Sequence, residues 1–266
     1  MRAVESRTPA PRRGAGVPSG DSVLVRHCHG IEEFEACIQI EREVWRSSDV
    51  DVVPLPLFVV AAETGGQVLG AFLGTALVGF TLAIAGWRAG KPLLHSHMTA
   101  VLEGARNSGV GRRLKLFQRD DALARGISLI EWTFDPFVAK NAYFNFVRLG
   151  AISRRYLPNA YGITTSPLHA SLPTDRLVAE WHLRSPHVGR VLAGKHGPAP
   201  RKKKAVQIEI PCNAEELRSS QPREAKNIQL RVRAEFAKWF GKGYAATSVQ
   251  SSKHVLEYIL ERGISA

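Results

Sequence analysis

HMTAVLEGARNSGVGRRLKLF, residues 97–117, sets an apolar run directly before a glycine-punctuated loop and a basic segment of helical pattern. In RNSGVG, Gly109 and Gly111 remove side chains, so successive backbone N–H groups can converge on one anion while the start of the next helix adds its positive dipole. Arg106, Arg112 and Arg113 place formal charge around the turn. Two absences limit what that anion is. No Lys-Ser/Thr follows the second glycine, as a triphosphate loop requires, and position 114 is Leu where a dinucleotide fingerprint has its third glycine. A tight turn explains a lone Gly-x-Gly equally well, so the flanking elements decide the reading.

On the amino side, Pro92–Val101 reads as a strand. Before it, Thr64 to Trp87 runs 24 residues without a charge, long enough to cross a bilayer, and Gly70 and Gly74 have the spacing of a membrane helix-packing motif. Gly74-Thr75 nevertheless splits the run into two β-rich halves, and its six glycines depress helix formation. The run is therefore read as a buried hairpin, Gln67–Leu73 and Ala76–Ile84. Further out lie a strand at Ser22–Arg26, a helix at Ile31–Trp45 with Phe34, Ile38 and Trp45 near one face, and a second helix at Pro54–Glu63. On the carboxyl side, Arg112–Arg125 reads as a helix closed by Gly126, with an apolar stripe of Leu114, Phe117 and Ala124 interrupted by Asp121. ISLIEWTFD (127–135) follows as a strand ended by Pro136. NAYFNFVRLG (141–150) is a short helix with Asn141 as N-cap and Gly150 after its end. The order predicts a mixed α/β domain.

The net charge of +12 and pI near 10 suit a protein that meets nucleic acid, an anionic membrane or phosphorylated ligands. Much of that charge sits in solvated segments: Arg2, Arg7, Arg12 and Arg13 in a Pro/Gly/Ser-rich leader, and RKKK at 201–204. No aromatic residues are interleaved for base stacking, which weighs against nucleic acid. Cys28, Cys37 and Cys212 show no paired spacing, and the leader has no apolar stretch of signal-peptide type. A cytoplasmic protein that neither spans nor binds a membrane is expected. Beyond residue 186 the character changes. Residues 187–204 read as a linker, VQIEIP as a strand, Pro222–Phe240 as a helix with Ala225, Val232, Phe236 and Phe240 near one face, and YAATSVQ and HVLEYILER as a hairpin. The expected organisation is a basic disordered leader (1–20), an α/β domain (21–186), the linker (187–204) and a C-terminal βαββ extension (205–266). So small a unit buries little alone, so it is expected to dock on the main sheet, shaping an acceptor pocket or forming a homodimer contact.

Arg106-x-x-Gly109-x-Gly111, with a strand before it and a helix after, resembles the acyl-CoA pyrophosphate loop of the GNAT superfamily of N-acyltransferases. NAYFNFVRLGA (141–151) resembles the superfamily's next motif, the helix beneath the pantetheine arm. LHSHM, EWTFDP, NAYFN, RLGA, NAYG and LPTDRLVAEW are similar to a bacterial branch of predicted acyltransferases, and the resemblance covers roughly residues 22–184. It implies a mostly antiparallel central sheet in which Leu93–Val101 and Ile127–Phe134 splay apart. The pantetheine of acetyl-CoA or another acyl-CoA would insert there and bond to the backbone of Thr99, Ala100 and Val101. Its diphosphate would lie on Arg106, Asn107, Ser108, Gly109, Val110, Gly111 and Arg112, with Asn141 opening the helix beneath.

The resemblance also implies direct attack of an amine on the thioester, with a base to take the amine's proton and an acid for the departing thiolate. Many relatives carry a tyrosine as that acid four residues before the helix-ending glycine. Here the position is Phe146, which has no proton to give; Tyr143 is a displaced candidate, or a tyrosine packed in the core. Strand alternation puts His95, His97 and Thr99 on one face, and Glu131, Thr133 and Asp135 together on the neighbouring strand. His97 titrates near working pH, whereas Glu131 needs desolvation to act as a base. A metal is not expected, since strand spacing offers no third convergent ligand. Nor is an acyl-enzyme, since no cysteine stands in the active strands. The expected activity is transfer of an acetyl or succinyl group to a small, amino-acid-like amine. Two other readings stand beside it: a non-catalytic acyl-CoA-binding module, favoured by Phe146, and an acyltransferase-like nucleic-acid binder, favoured by the charge.

Overall fold

The computed structural model describes residues 23–46, 51–162, 172–195 and 205–264; the basic leader and the 201–204 lysine run lie outside them. The chain opens with strand β1 (Val23–His27), helix α1 (Gly30–Trp45) and helix α2 (Leu55–Glu63). On α1 the buried stripe is Phe34, Cys37, Ile40 and Glu41, with Ile38 and Trp45 at its margin. The uncharged stretch then folds as the expected hairpin. Strand β2 (Gln67–Leu73) turns at Gly74, whose φ of +61° suits a residue without a Cβ, into β3 (Ala76–Arg88), four residues longer than predicted. Both faces of β2 are covered. Val68 and Phe72 join the core under α1 and α2, while Leu69 and Ala71 face the opposite layer, so the sequence shows continuous rather than alternating hydrophobicity. No described helix is long and apolar enough to cross a membrane.

Next come β4 (Lys91–Val101), α3 (Val110–Ala124), β5 (Leu129–Phe134) and α4 (Ala139–Tyr143), which continues as a π-helix over Phe144–Arg148, then β6 (Ile152–Leu157), β7 (Arg176–His182) and α5 (Pro186–Leu192). The described strands form one sheet in the order β1-β2-β3-β4-β5-β7-β6, continued by the tail, and every pairing in it is antiparallel except β4 with β5. This is the mixed, mostly antiparallel sheet with splayed strands that was expected.

Three local readings change. The buried face of α3 is Val110, Leu114, Lys115, Gln118 and Ala122, while Ala124 is exposed. Asp121 is accommodated by His27 (3.1 Å), Gln67 (2.6 Å) and Arg125 (3.0 Å). Asn141 is not an N-cap: α4 starts two residues before it, because the Asp135 side chain already accepts the Phe137 N–H (2.9 Å) and turns the chain there. Finally, α5 occupies the first part of the stretch read as a linker. It is capped by Ser185 Oγ, which accepts the Val188 N–H, and Val188 is buried. Cys28 and Cys37 are free thiols whose sulfurs lie 3.9 Å apart in the core.

The tail contains β8 (Val206–Pro211), α6 (Ala214–Ser220), α7 (Pro222–Gly241), β9 (Tyr244–Ser251) and β10 (Val255–Arg262), so the βαββ pattern gains a short extra helix. Its strands extend the main sheet in the order β6-β9-β10-β8, with Ser153 of β6 opposite Ala246 of β9. The two parts share one core. Tyr258 of β10 is fully buried, donates to the Pro136 carbonyl (2.7 Å) and meets the Phe146 ring edge-on at 5.9 Å. Arg218 of α6 pairs with Asp135 at 2.7 Å, both side chains being largely buried.

Candidate active site

The parallel β4–β5 pairing lasts only two residues, Leu94 with Ile130 and His95 with Glu131, although both strands run on towards Val101 and Phe134. Beyond that fork the β5-facing edge of β4 has no strand partner among the described residues. Its other edge stays paired with β3, where Thr99, Ala100 and Val101 oppose Thr81, Phe80 and Gly79. The cleft thus opens toward the glycine loop.

A β-bulge sits beside the fork. Leu82 of β3 pairs with Met98 and Ala83 with Ser96, which leaves His97 as the extra residue. The bulge changes which side chains share a face. Ser96 points to α3, where its Oγ meets Lys115, whereas Met98, two residues on, packs with the α1/α2 core. His95 and His97 remain together, with ring centroids 6.2 Å apart. Thr99 is carried to the other side and hydrogen-bonds Thr81, so the expected His95/His97/Thr99 face is corrected to the two histidines alone.

At the mouth of the cleft, α3 begins at Val110 with Gly109 as its N-cap, φ +88°, and no side chain caps it. The first N–H groups of a helix have no intrahelical partner, so those of Val110, Gly111 and Arg112 point outward. Asn107 also has a positive φ (63°), and Ser108 Oγ donates to the Ala105 carbonyl (2.7 Å), which together bend the loop. Arg106 folds back onto the Val101 carbonyl (3.1 Å), Arg112 reaches the Leu192 carbonyl (3.4 Å), and Lys140 of α4 approaches Asn107 Oδ1 at 3.5 Å. Gly111 has ordinary room for a side chain: a Cβ there would meet nothing nearer than Val101 Cγ2 at 3.9 Å. A helical glycine costs about 1 kcal/mol relative to alanine, and nothing in the fold demands one at this position.

The sheet face turned away from α3 is polar around the fork. Glu131 is buried, and its Oε2 receives Arg88 of β3 (2.6 Å) and Arg155 of β6 (2.8 Å). Glu180 pairs with Arg154 (2.8 Å) and His182 (3.3 Å), and Thr133 bonds Tyr161 (2.6 Å). Asp135 leaves this group for Arg218. Burial lowers the pKa of His97, and that of His95 with help from the neighbouring imidazole, so both are neutral at pH 7. The His97 imidazole has no hydrogen bond to another described residue. Tyr143 is 50% exposed rather than packed in the core. Phe146 is buried between Phe134 and Tyr258.

No protein-family model matches the chain, and no curated protein matches its sequence. Among solved structures it is similar to a protein from Desulfovibrio desulfuricans assigned to the GNAT family of acetyltransferases, with a TM-score of 0.50 at 14% identity over 60% of this chain and 99% of that one. An N-acetyltransferase from Staphylococcus aureus gives 0.50 and 14% over 61% and 99%. The fold is that of the GNAT acetyltransferases.

Within this GNAT fold, sequence reasoning missed the α3 side of the fork. Lys115 is buried there; its Nζ donates to Ser96 Oγ (3.0 Å) and Gln118 Oε1 (2.7 Å) and lies 4.0 Å from the centre of the Trp132 ring. Burial brings its pKa down to about 7. The Trp132 indole in turn donates to Asn145 Oδ1 (3.2 Å). The sequence carried no signal for it, because the partners that cover Lys115 come from β4 and β5 and a lysine reads as a solvent-facing position of α3.

Proposed function

We propose that the protein is an acyl-CoA-dependent N-acyltransferase of the cytoplasm, moving an acetyl or succinyl group to a small, amino-acid-like amine. The observation that carries this reading is the coincidence of three features: a two-residue parallel pairing that opens a cleft, an uncapped helix start at its mouth, and a glycine at 111 that the fold itself does not need. An extended pantetheine bonded along Thr99–Val101 would lead a diphosphate to the N–H groups of Gly109–Arg112, with Arg106, Arg112 and Lys140 nearby. Asn107, Ser108 and Val110 shape that turn, and Asn141 belongs to the helix beneath.

Chemistry runs by direct attack. The amine, neutral only after losing a proton, approaches from the polar face, and His97 takes that proton directly or through water. Glu131 holds Arg88 and Arg155, and those guanidiniums suit the carboxylate of an amino-acid-like acceptor. Thiol release from acetyl-CoA and succinyl-CoA with pooled amino acids and simple amines tests the activity. Binding of either without thiol release supports the non-catalytic module instead.

Gly111→Val tests the loop. It places a branched side chain in the first turn of α3 without a positive φ to strain, and should weaken CoA binding at least about tenfold at a cost in fold stability of about 1 kcal/mol or less. Gly109→Val is the poorer probe, because φ +88° strains any β-branched residue. Unchanged CoA affinity in Gly111→Val, measured by calorimetry, removes the loop from the binding site.

A further inference from the structure

The geometry points to Ser96 as the group that hands a proton to the departing CoA sulfur, with Lys115 acting through it to replace that proton. The inference rests on the acyl-CoA reading above. Ser96 is the first β4 residue past the last β4–β5 pair and Trp132 the first on β5, and Lys115 touches both, so its ammonium sits behind the fork. From Val101 to Ser96 the strand covers about 17 Å, a length an extended pantetheine spans from a diphosphate at the loop to a thiol at the fork.

The hydrogen bonding has a fixed direction. While Lys115 is an ammonium it only donates, so in that form it does not accept the Ser96 O–H proton, and no other described residue accepts it. That proton is available to a ligand. The other groups around Lys115 are Gln118 on its own helix, Trp132 on β5, Trp181 on β7 with its ring centre 5.8 Å away, and His95 on β4, whose imidazole feels the lysine charge. No carboxylate pairs with it among the described residues. An apolar side chain would fill the same space without the cost of desolvating a charge, so packing alone does not account for a lysine here. Phe146 has no proton, and Tyr143 stands half exposed, so the usual source is missing.

The step balances as follows. The amine lone pair forms the C–N bond to the thioester carbon, and the adduct collapses by breaking C–S, with the electron pair leaving on sulfur. Sulfur takes the Ser96 hydroxyl proton, Ser96 takes one from the Lys115 ammonium, and the proton removed from the amine returns to Lys115 by way of water. The products are the amide and free CoA thiol. An ammonium titrating at about 7 is matched to donation near neutral pH.

CoA itself is the probe, and thiolate ultraviolet absorbance of the bound molecule against pH is the readout. In the wild-type protein the bound thiol should give up its proton at least about one pH unit below free CoA, because the two groups titrate as a pair: a thiolate facing Lys115 through Ser96 holds on the lysine a proton that the empty site releases at about 7. Lys115→Met should return it to the free value, and Ser96→Ala should move it most of the way. Affinity for desulfo-CoA should stay within about twofold in all three proteins, which shows the fold and diphosphate site intact. Identical titrations in wild type and Lys115→Met, with desulfo-CoA still bound, overturn the inference while leaving the acyl-CoA reading standing. A wild-type protein that binds neither CoA nor desulfo-CoA overturns both.

Discussion

His97 is the residue that β4 carries in excess of β3, and that surplus gives it its chemical interest. A bulged residue is released from the ladder, so its side chain can be re-aimed without breaking the sheet. Burial keeps the imidazole in the form that accepts a proton at pH 7. The sign of the pH effect follows: its pKa lies below the ordinary 6.5, so wild-type turnover should fall only as pH drops through that lowered value. His97→Ala should reduce turnover about 100-fold and flatten that acid limb, with CoA affinity unchanged. Glu131→Gln gives the contrasting result if Glu131 only positions Arg88 and Arg155: the acid limb stays and the KM for the amine rises. Measuring kcat and KM for both variants from about pH 5 to 8 separates them. An acid limb that survives in His97→Ala and vanishes in Glu131→Gln reverses the two assignments.

At the scale of the element, α3 shows how far the sequence could be read. Its position, its glycine start and its stop at Gly126 were legible, because loop and cap signals are local. Its buried face was not. Leu114, Phe117 and Ala124 form a plausible stripe, yet the covered side carries Lys115 and Gln118, which lie against a polar patch supplied by Ser96 from another element. A hydrophobic pattern cannot report a buried charge whose partners are distant in sequence. The bulge escaped for a similar reason: the LHSHM stretch alternates cleanly on paper, and only the register against β3 shows that His97 is surplus. The hairpin at 64–87 was legible because Gly74-Thr75 is itself a turn signal.

Lys115 also predicts a stability profile for this element. Its pKa falls from 10.5 unfolded to about 7 folded, so the unfolded chain binds more protons between those values. Stability should therefore rise as pH increases from about 7 to 10.5 through this group, by on the order of a few kcal/mol. Lys115→Met should lose that rise and be the more stable protein at pH 7. Urea unfolding of both proteins at several pH values is the check, and parallel curves would mean that Lys115 is not held as described.

For the whole molecule, the tail's strands and long helix were readable from their periodicity and its docking on the main sheet from its small size, but the residues that join it were not. The contacts that join it to the main core pair residues far apart in the chain, Asp135 with Arg218 and Pro136 with Tyr258. Those contacts also account for Phe146. At the position where an acid was expected, Tyr258 and Phe134 press an aromatic ring from two sides, and a hydroxyl there would meet apolar edges. Arg218→Met should strip Asp135 of its nearest cation and cost about 3 kcal/mol, read as a fall in the urea midpoint. Removing residues 205–266 should uncover Phe134 and Phe146 and give an aggregating product; a monomeric, CoA-binding truncation would show that the main domain stands alone.

Tyr258 carries one more consequence, for the order in which the protein is made. The glycine loop and the fork are complete once β7 has been synthesised to residue 182, but the helix beneath the fork is sealed by a strand that leaves the ribosome more than seventy residues later. Until then Phe134 and Phe146 lack their final cover, and a half-made chain presents a greasy flank to whatever is near. The nascent protein should therefore depend on holdase chaperones during that interval, and CoA present during synthesis should shorten the dependence by occupying the fork first.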